Sequence, residues 1–134
     1  YDDWEMRAYE SGSTWTWVAG RMDMVAFTAI RAAYLDPVIA EIGKLAEGGR
    51  PVRVLEVGCG NGTNLMLLRA ALPAHVALQG FDISPERIRQ GQAYWGDRLA
   101  GVTMAVDSAI TLASLPDGAV DLVYSVHCLE QLPY

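Results

Sequence analysis

Cysteine is scarce in this chain. Cys59 and Cys128 are the only two in 134 residues. Neither stands in a CxxC pair and no His/Cys cluster has zinc spacing, which argues against a disulfide scaffold and a structural zinc site. A reducing cytoplasm is the compartment that fits. Basic residues are also few: ten Lys and Arg face sixteen Asp and Glu, for a net charge of −6. They are scattered, whereas phosphate backbones select clustered Lys and Arg, so no nucleic-acid partner is expected. No apolar run approaches the ~20 residues of a membrane-spanning helix, so no membrane partner is expected. No secretory leader is visible, but the chain opens at Tyr1 without methionine, which makes that absence weak evidence. Internal repeats and low-complexity tracts are absent too.

What is present is an ordinary globular composition. Apolar residues make up 51% and charged residues 19%, enough for one hydrophobic core and too apolar for disorder. Residues 51–125 alternate strand-like and helix-like segments. The run Val52–Val57 is nearly all apolar and reads as a strand buried on both faces. Thr63–Leu72 reads as a helix closed by Pro73, and Val76–Phe81 as a second strand. Ser84-Pro85-Glu86 is a helix start, with a capping hydroxyl, a first-turn proline and an early carboxylate. That helix is expected to run to about Leu99. Val102–Val106 is a third strand, Ser108–Leu115 a short helix, Pro116-Asp117-Gly118 a turn and Val120–Ser125 a fourth strand. The alternation predicts an α/β fold with a parallel, doubly wound sheet and right-handed crossovers.

The first fifty residues read differently. Tyr1, Trp4, Tyr9, Trp15 and Trp17 crowd the start. Met24, Phe27, Ile30 and Tyr34 recur at helical spacing until Asp36-Pro37 interrupts them. A second helix is expected over Pro37–Ala46, with Val38, Ile39, Ile42 and Leu45 facing inward, ended by the glycine pair of EGGR. The division expected is a helical lid or cap over 1–50 and an α/β domain over 51–134.

Chemistry concentrates at the strand ends. Gly58, Gly60 and Gly62 alternate directly after the first strand, and Asn61, Gly62 and Thr63 lead into the helix. Glycine allows tight turns and close ligand approach, and a helix start offers free N–H donors. The spacing is not the GxGxxG of dinucleotide folds, whose third glycine falls one residue later. Glu56 stands two residues before the first glycine, a costly place for a carboxylate unless it serves a site. Asp82 closes the second strand, placed to accept two hydrogen bonds from a ribose diol, and Ile83 after it offers an aliphatic cover for an adenine ring. Asp107 and Ser108, after the third strand, suit an adenine amino edge or a helix cap. All three acids lie where ligands bind in open α/β sheets, at the carboxyl ends of the strands.

The segments VLEVGCGNGTN, GFDISPERI, VDSA and VDLVYSVHCLEQLPY together resemble the class I S-adenosylmethionine-dependent methyltransferases. The likeness covers residues 51–133 in order. It is nearest the broad small-molecule group whose fourth strand leads into a "LEHLP"-like segment. The resemblance implies S-adenosyl-L-methionine as cofactor and a Rossmann-like sheet with strand order 3-2-1-4. It implies that Glu56 and the loop from Gly58 through Gly60 and Asn61 to Gly62 hold the methionine part. Asp82 would take the ribose hydroxyls, Ile83 the adenine face, and Asp107 with Ser108 the adenine edge. Ser125 and Val126 would line the methionyl side near the methyl group. Three departures stand out. Gln131 replaces a frequent histidine, and His127 and Cys128 replace frequent aliphatics. No NPPY or DPPY motif follows the fourth strand, which counts against exocyclic amine methylation.

The expected activity is methyl transfer to an oxygen, carbon or nitrogen of a small molecule. His127 is placed to deprotonate a hydroxyl acceptor or simply to line the pocket, so no catalytic residue is assigned. Tyr9 and Trp15 join it as substrate-pocket candidates, since aromatic faces suit a sulfonium. Similar enzymes continue with three more strands in the order 3-2-1-4-5-7-6. An early stop would leave the fourth strand as an open edge, so a fragment that pairs as a homodimer through that edge, inactive alone, is the expectation. Two rival readings are an NAD-type oxidoreductase domain, disfavoured by the glycine spacing and Glu56, and a non-catalytic cofactor-binding or assembly module.

Overall fold

The computed structural model describes residues 17–18, 21–22, 24–126, 128–129 and 132. A two-residue pair, β1 (Trp17–Val18) and β2 (Arg21–Met22), runs antiparallel ahead of helix α1 (Met24–Leu45). Then come β3 (Val52–Val57), α2 (Thr63–Ala71), β4 (Val76–Asp82), α3 (Pro85–Trp95), β5 (Val102–Val106) and β6 (Leu122–Tyr124). The last four strands form one parallel sheet in the order β5-β4-β3-β6. Counted from β3, this is the 3-2-1-4 order of a Rossmann-like doubly wound sheet.

The sequence of β3 explains its central place. In VRVLEV every residue but Arg53 is buried, and Val54 and Leu55 are wholly so. Successive side chains point to opposite faces. Val52 and Val54 therefore join a core with Leu35 and Ile42 of α1, Leu65 and Leu68 of α2, and Trp95 of α3. Leu55 and Val57 join Phe81 on the other face, beneath Leu112, Leu115 and Val120. Each fully buried side chain of this kind contributes about 1.5–3 kcal/mol. Arg53, at the open end, grips Asp121 through Nε (3.1 Å) and Nη2 (3.0 Å), and its backbone N–H donates to the same carboxylate at 2.8 Å. The Asp121 N–H returns a bond to the Arg53 carbonyl, which sets the register of β6 on β3. At the far end of α2, the Arg69 guanidinium donates to the carbonyls of Leu72, Pro73 and Val76 and ties the helix end to the start of β4.

Four expected elements differ. Helix α1 does not break at Pro37 but carries it within. Pro37 is exposed, while Leu35, Val38, Ile39, Ile42 and Ala46 keep one apolar stripe against the core. Their burial outweighs the ~3 kcal/mol of an interior proline. Leu45 is 38% exposed and Ala46 takes the inward place expected of it. Helix α3 ends at Trp95 rather than Leu99, because Gly96 turns to φ +50° and Gly96–Leu99 tightens into a 3-10 turn. The buried Leu99 continues the apolar pattern past the helix end.

No helix forms over 108–115. The Asp107 carboxylate captures the N–H groups of Ser108 (2.7 Å) and Ser114 (2.9 Å) and the Ser114 hydroxyl, folding the segment back on itself. Such side-chain bonds compete with the helical ladder. Strand β6 is shorter than expected, three residues instead of six.

Candidate functional site

The glycine loop is tied to the end of β4. The N–H groups of Gly58 (2.8 Å) and Cys59 (3.0 Å) both donate to the Phe81 carbonyl. The Gly60 N–H donates to Oδ2 of Asp82 at 2.8 Å. Gly58, Gly60 and Gly62 take φ of +74°, +54° and +76°, left-handed conformations that resist any side chain. A side chain would also crowd its neighbours, since a Cβ on Gly62 would stand 2.5 Å from the Met104 sulfur and one on Gly58 would meet Cys128, so those side chains would have to shift. Asn61 Oδ1 accepts from the Thr63 hydroxyl at 2.7 Å and supports the first turn of α2. The result is a tight glycine hairpin at the carboxyl edge of the sheet, with Cys128, Arg87 and Met104 packed near its glycines.

The three acids gather along that edge in different ways. Glu56 pairs in register with Gly80 on one side and Tyr124 on the other, one layer below the loop, and is 1% exposed. Its Oε1 accepts from Asn64 Nδ2 at 2.6 Å. Burial pushes the Tyr124 phenol pKa up, and the adjacent Glu56 charge pushes it the same way. Asp82 lies two residues further along and is 6% exposed. Besides Gly60, it accepts from the Ser84 N–H at 2.9 Å through Oδ1. Ser84 itself caps α3, its hydroxyl accepting from the Arg87 N–H at 3.1 Å. Asp107 follows β5, and its N–H donates to the Asp82 carbonyl at 3.1 Å. Its carboxylate turns to its own loop, and the Ser114 bonds hold its pKa below the usual range. Ser108 Oγ accepts from the Ile110 N–H at 3.2 Å.

The rim also carries apolar surface. Ile83 is 71% exposed, and Val106 at the end of the neighbouring strand and Ile110 beyond it are exposed too. Ser125, after β6, donates its hydroxyl to the Val57 carbonyl at 3.0 Å, joining the two strand ends, and Val126 beside it is half-buried. Cys59 packs inward against Gly80. Its burial, and the charges of Glu56 and Asp82, push the thiol pKa up, so it is a poor nucleophile.

Sequence reasoning overlooked Asn64, Tyr124 and Arg87 as members of this site. Asn64 was open to inference, because a buried carboxylate needs a donor. Tyr124 and Arg87 emerge only from the strand register and the helix orientation. Tyr9, Trp15 and His127 lie outside the described residues, as do Tyr1, Trp4 and Gln131. Among the described residues no His/Cys/Asp/Glu cluster suits a metal ion, and no helix is long and apolar enough to cross a membrane.

Comparison with known proteins bears on this geometry. A methyltransferase-domain family model matches residues 54–134. Ajmaline N-methyltransferase of Rauvolfia serpentina is 38% identical over 85 residues, 62% of this chain and 28% of that protein. Among solved structures, the PH0226 protein of Pyrococcus horikoshii OT3 superposes with a TM-score of 0.54 at 26% identity, covering 71% of this chain and 41% of that one. The bifunctional kinase-methyltransferase WbdD superposes at 0.56 and 24% identity, covering 68% of this chain and 20% of that one, and shows the shared fold. The chain thus spans less than half the length of these relatives. The family match covers the glycine hairpin and all three acids, and the chain belongs to the class I S-adenosylmethionine-dependent methyltransferases.

Proposed function

We propose that this chain binds S-adenosyl-L-methionine at the hairpin edge and serves methyl transfer to an oxygen, carbon or nitrogen of a small molecule. The observation that carries the reading is the hairpin of three left-handed glycines, set between the buried Glu56 and Asp82. Backbone with no side chain admits close approach of a ligand, and two buried carboxylates suit a cation with a diol. The residues present therefore fit the cofactor.

Asp82 would accept the ribose hydroxyls with the lone pairs left over from Gly60 and Ser84. Ile83, Val106 and Ile110 supply an apolar surface for the base, with Asp107 and Ser108 at its edge. Gly58, Gly60, Asn61, Gly62 and Glu56 would hold the methionyl part, with Ser125 and Val126 beside it. When bound, the cofactor supplies an electrophilic methyl group on a sulfonium. This chain's residues contribute alignment and exclusion of water, which account for much of such a rate. His127, Tyr9 and Trp15 are assigned to the acceptor pocket. Of the first fifty residues, the lid role falls to those ahead of Leu35, since Leu35, Ile42 and Ala46 belong to the main core. Two free cysteines fit a reducing cytoplasm.

Differential stabilisation tests the cofactor. S-Adenosylhomocysteine at a hundred times its Kd should stabilise the protein by about 2.7 kcal/mol, while NAD at the same concentration should not. Stabilisation by NAD alone would reverse the reading in favour of an oxidoreductase domain. For partners, β6 is an edge strand of the sheet among the described residues, and an edge of this kind suits pairing with a second copy. Light scattering should then show a dimer that Val123→Lys weakens, and a monomer at high concentration would count against it.

A further inference from the structure

Among the described residues one cation, Arg87, lies at the site. The Arg87 side chain, from the first turn of α3, is 17% exposed and places Nη1 4.0 Å from Asp82 Oδ2. Its guanidinium also covers the hairpin. A Cβ on Gly60 would stand 3.1 Å from Nη2 and 3.2 Å from Cζ. Asp82 Oδ2 thus has two neighbours at once, the Gly60 N–H and this guanidinium. Glu56, on the other side of Cys59, is bonded to the neutral Asn64 amide. Among the described residues the hairpin is therefore flanked by two buried carboxylates and one part-buried guanidinium, with Asp107 at the rim.

We propose that Arg87 is a specificity-determining residue that sets how strongly this site prefers the cationic S-adenosylmethionine over the neutral S-adenosylhomocysteine. The inference rests on the cofactor reading above. The two molecules differ by one methyl group and one positive charge on sulfur. Carboxylates around the hairpin favour the charged form, and a guanidinium among them offsets part of that preference. The size of that preference matters for turnover, because a site that favours the cofactor also releases its product more readily. An excess of that preference, however, spends binding on the ground state rather than on the transition state. Inside a poorly solvated site, a single charge within several ångströms shifts the balance by a measurable factor.

Titration calorimetry with each of the two molecules, on the intact protein and its variants, reads this out. Arg87→Met, which keeps the length and removes the charge, should raise the affinity ratio of S-adenosylmethionine to S-adenosylhomocysteine by roughly three- to tenfold. Arg87→Lys should hold the ratio within about twofold. Glu56→Gln should move the ratio the other way. If Arg87→Met does not fold, Arg87→Gln makes the same measurement with a polar head of similar reach. A purely structural role would weaken both molecules equally, so an unchanged ratio in the uncharged variants overturns the proposal. Wild-type protein that binds neither molecule would instead remove the cofactor reading itself.

Discussion

Replacing Asp82 with alanine should destabilise the protein even with no ligand present. The carboxylate accepts the Gly60 N–H at 2.8 Å and the Ser84 N–H at 2.9 Å, and it is 6% exposed. Hydrogen bonds to a charged group contribute about 1.5–3 kcal/mol each, so the pair sets a ceiling of about 3–6 kcal/mol. Water reaching the vacated donors recovers part of this, which leaves an expected loss of about 3 kcal/mol. That is a large share of the ~5–15 kcal/mol of a typical domain. With a urea slope of about 2 kcal/mol/M, the midpoint should fall by about 1.5 M. Asp82→Asn is a stringent companion. It keeps one acceptor oxygen but turns an amide N–H group toward a backbone N–H, so it should fall by about 2 kcal/mol and not behave as wild type. Urea titrations with and without S-adenosylhomocysteine separate the two roles of this residue. The ligand-free midpoint reports the hairpin anchor, and the ligand-induced increment reports ribose binding. An unchanged ligand-free midpoint in Asp82→Ala would refute the anchoring argument, whatever happened to the ligand.

Two further outcomes are expected. In Gly91→Ala the new Cβ would collide with the Asn61 carbonyl, backbone against helix, so α3 must move off the hairpin. Thermal denaturation should show a loss of about 1–3 kcal/mol, the scale of overpacking, and ligand affinity should fall with it; a wild-type melting curve would show that the contact has slack. Glu86 is held at a pKa of about 2 by its bonds to Arg89 and Gln90, against 4.5 for a free glutamate. A depressed folded pKa means that its stabilising effect is whole above pH 4.5 and drains away toward pH 2. An NMR titration should therefore find its midpoint well below that of ordinary glutamates, and Glu86→Gln should flatten the stability profile in that window.

The parts of the fold written in local chemistry were legible. The bounds of β3 follow from an apolar run between Pro51 and Gly58, and the start of α3 from Ser84 and Pro85, whose cap forms as expected. The parallel, right-handed connections followed from the β-α-β alternation, and the strand order from the resemblance to the methyltransferase family. The placement of Glu56, Asp82 and Asp107 along one edge followed from that order. What stayed hidden depends on contacts far apart in sequence. The path of α1 through Pro37 is decided by the core it lies on, not by the proline. The loop after β5 turns on a carboxylate that takes its own chain's donors instead of capping a helix. Gly91 reads as an ordinary weak helix residue until Asn61 is placed against it. Arg87 reads as a solvated charge on an amphipathic helix, whereas its side chain turns inward over Gly60.

The buried end of the site invites one more experiment. Glu56 is 1% exposed and Tyr124 is 9% exposed, with Asn64 Nδ2 2.6 Å from the carboxylate. A charge so placed is tolerated only if its neighbours replace the water it lost. Tyr124→Phe removes the adjacent hydroxyl and leaves the carboxylate with less support, so it should cost about 1–3 kcal/mol in a urea titration. In a protein that already carries Glu56→Gln the same change should cost much less, because no buried charge remains to be supported. The double-mutant cycle should thus show a coupling of about 1 kcal/mol or more, well outside the ~0.5 kcal/mol scatter of independent sites. Strict additivity would mean that Tyr124 only fills space, and that Asn64 and other donors hold Glu56 without it. A strong coupling would mean that β6 reaches the hairpin through this carboxylate, so that the seating of β6 on β3 also bears on the site.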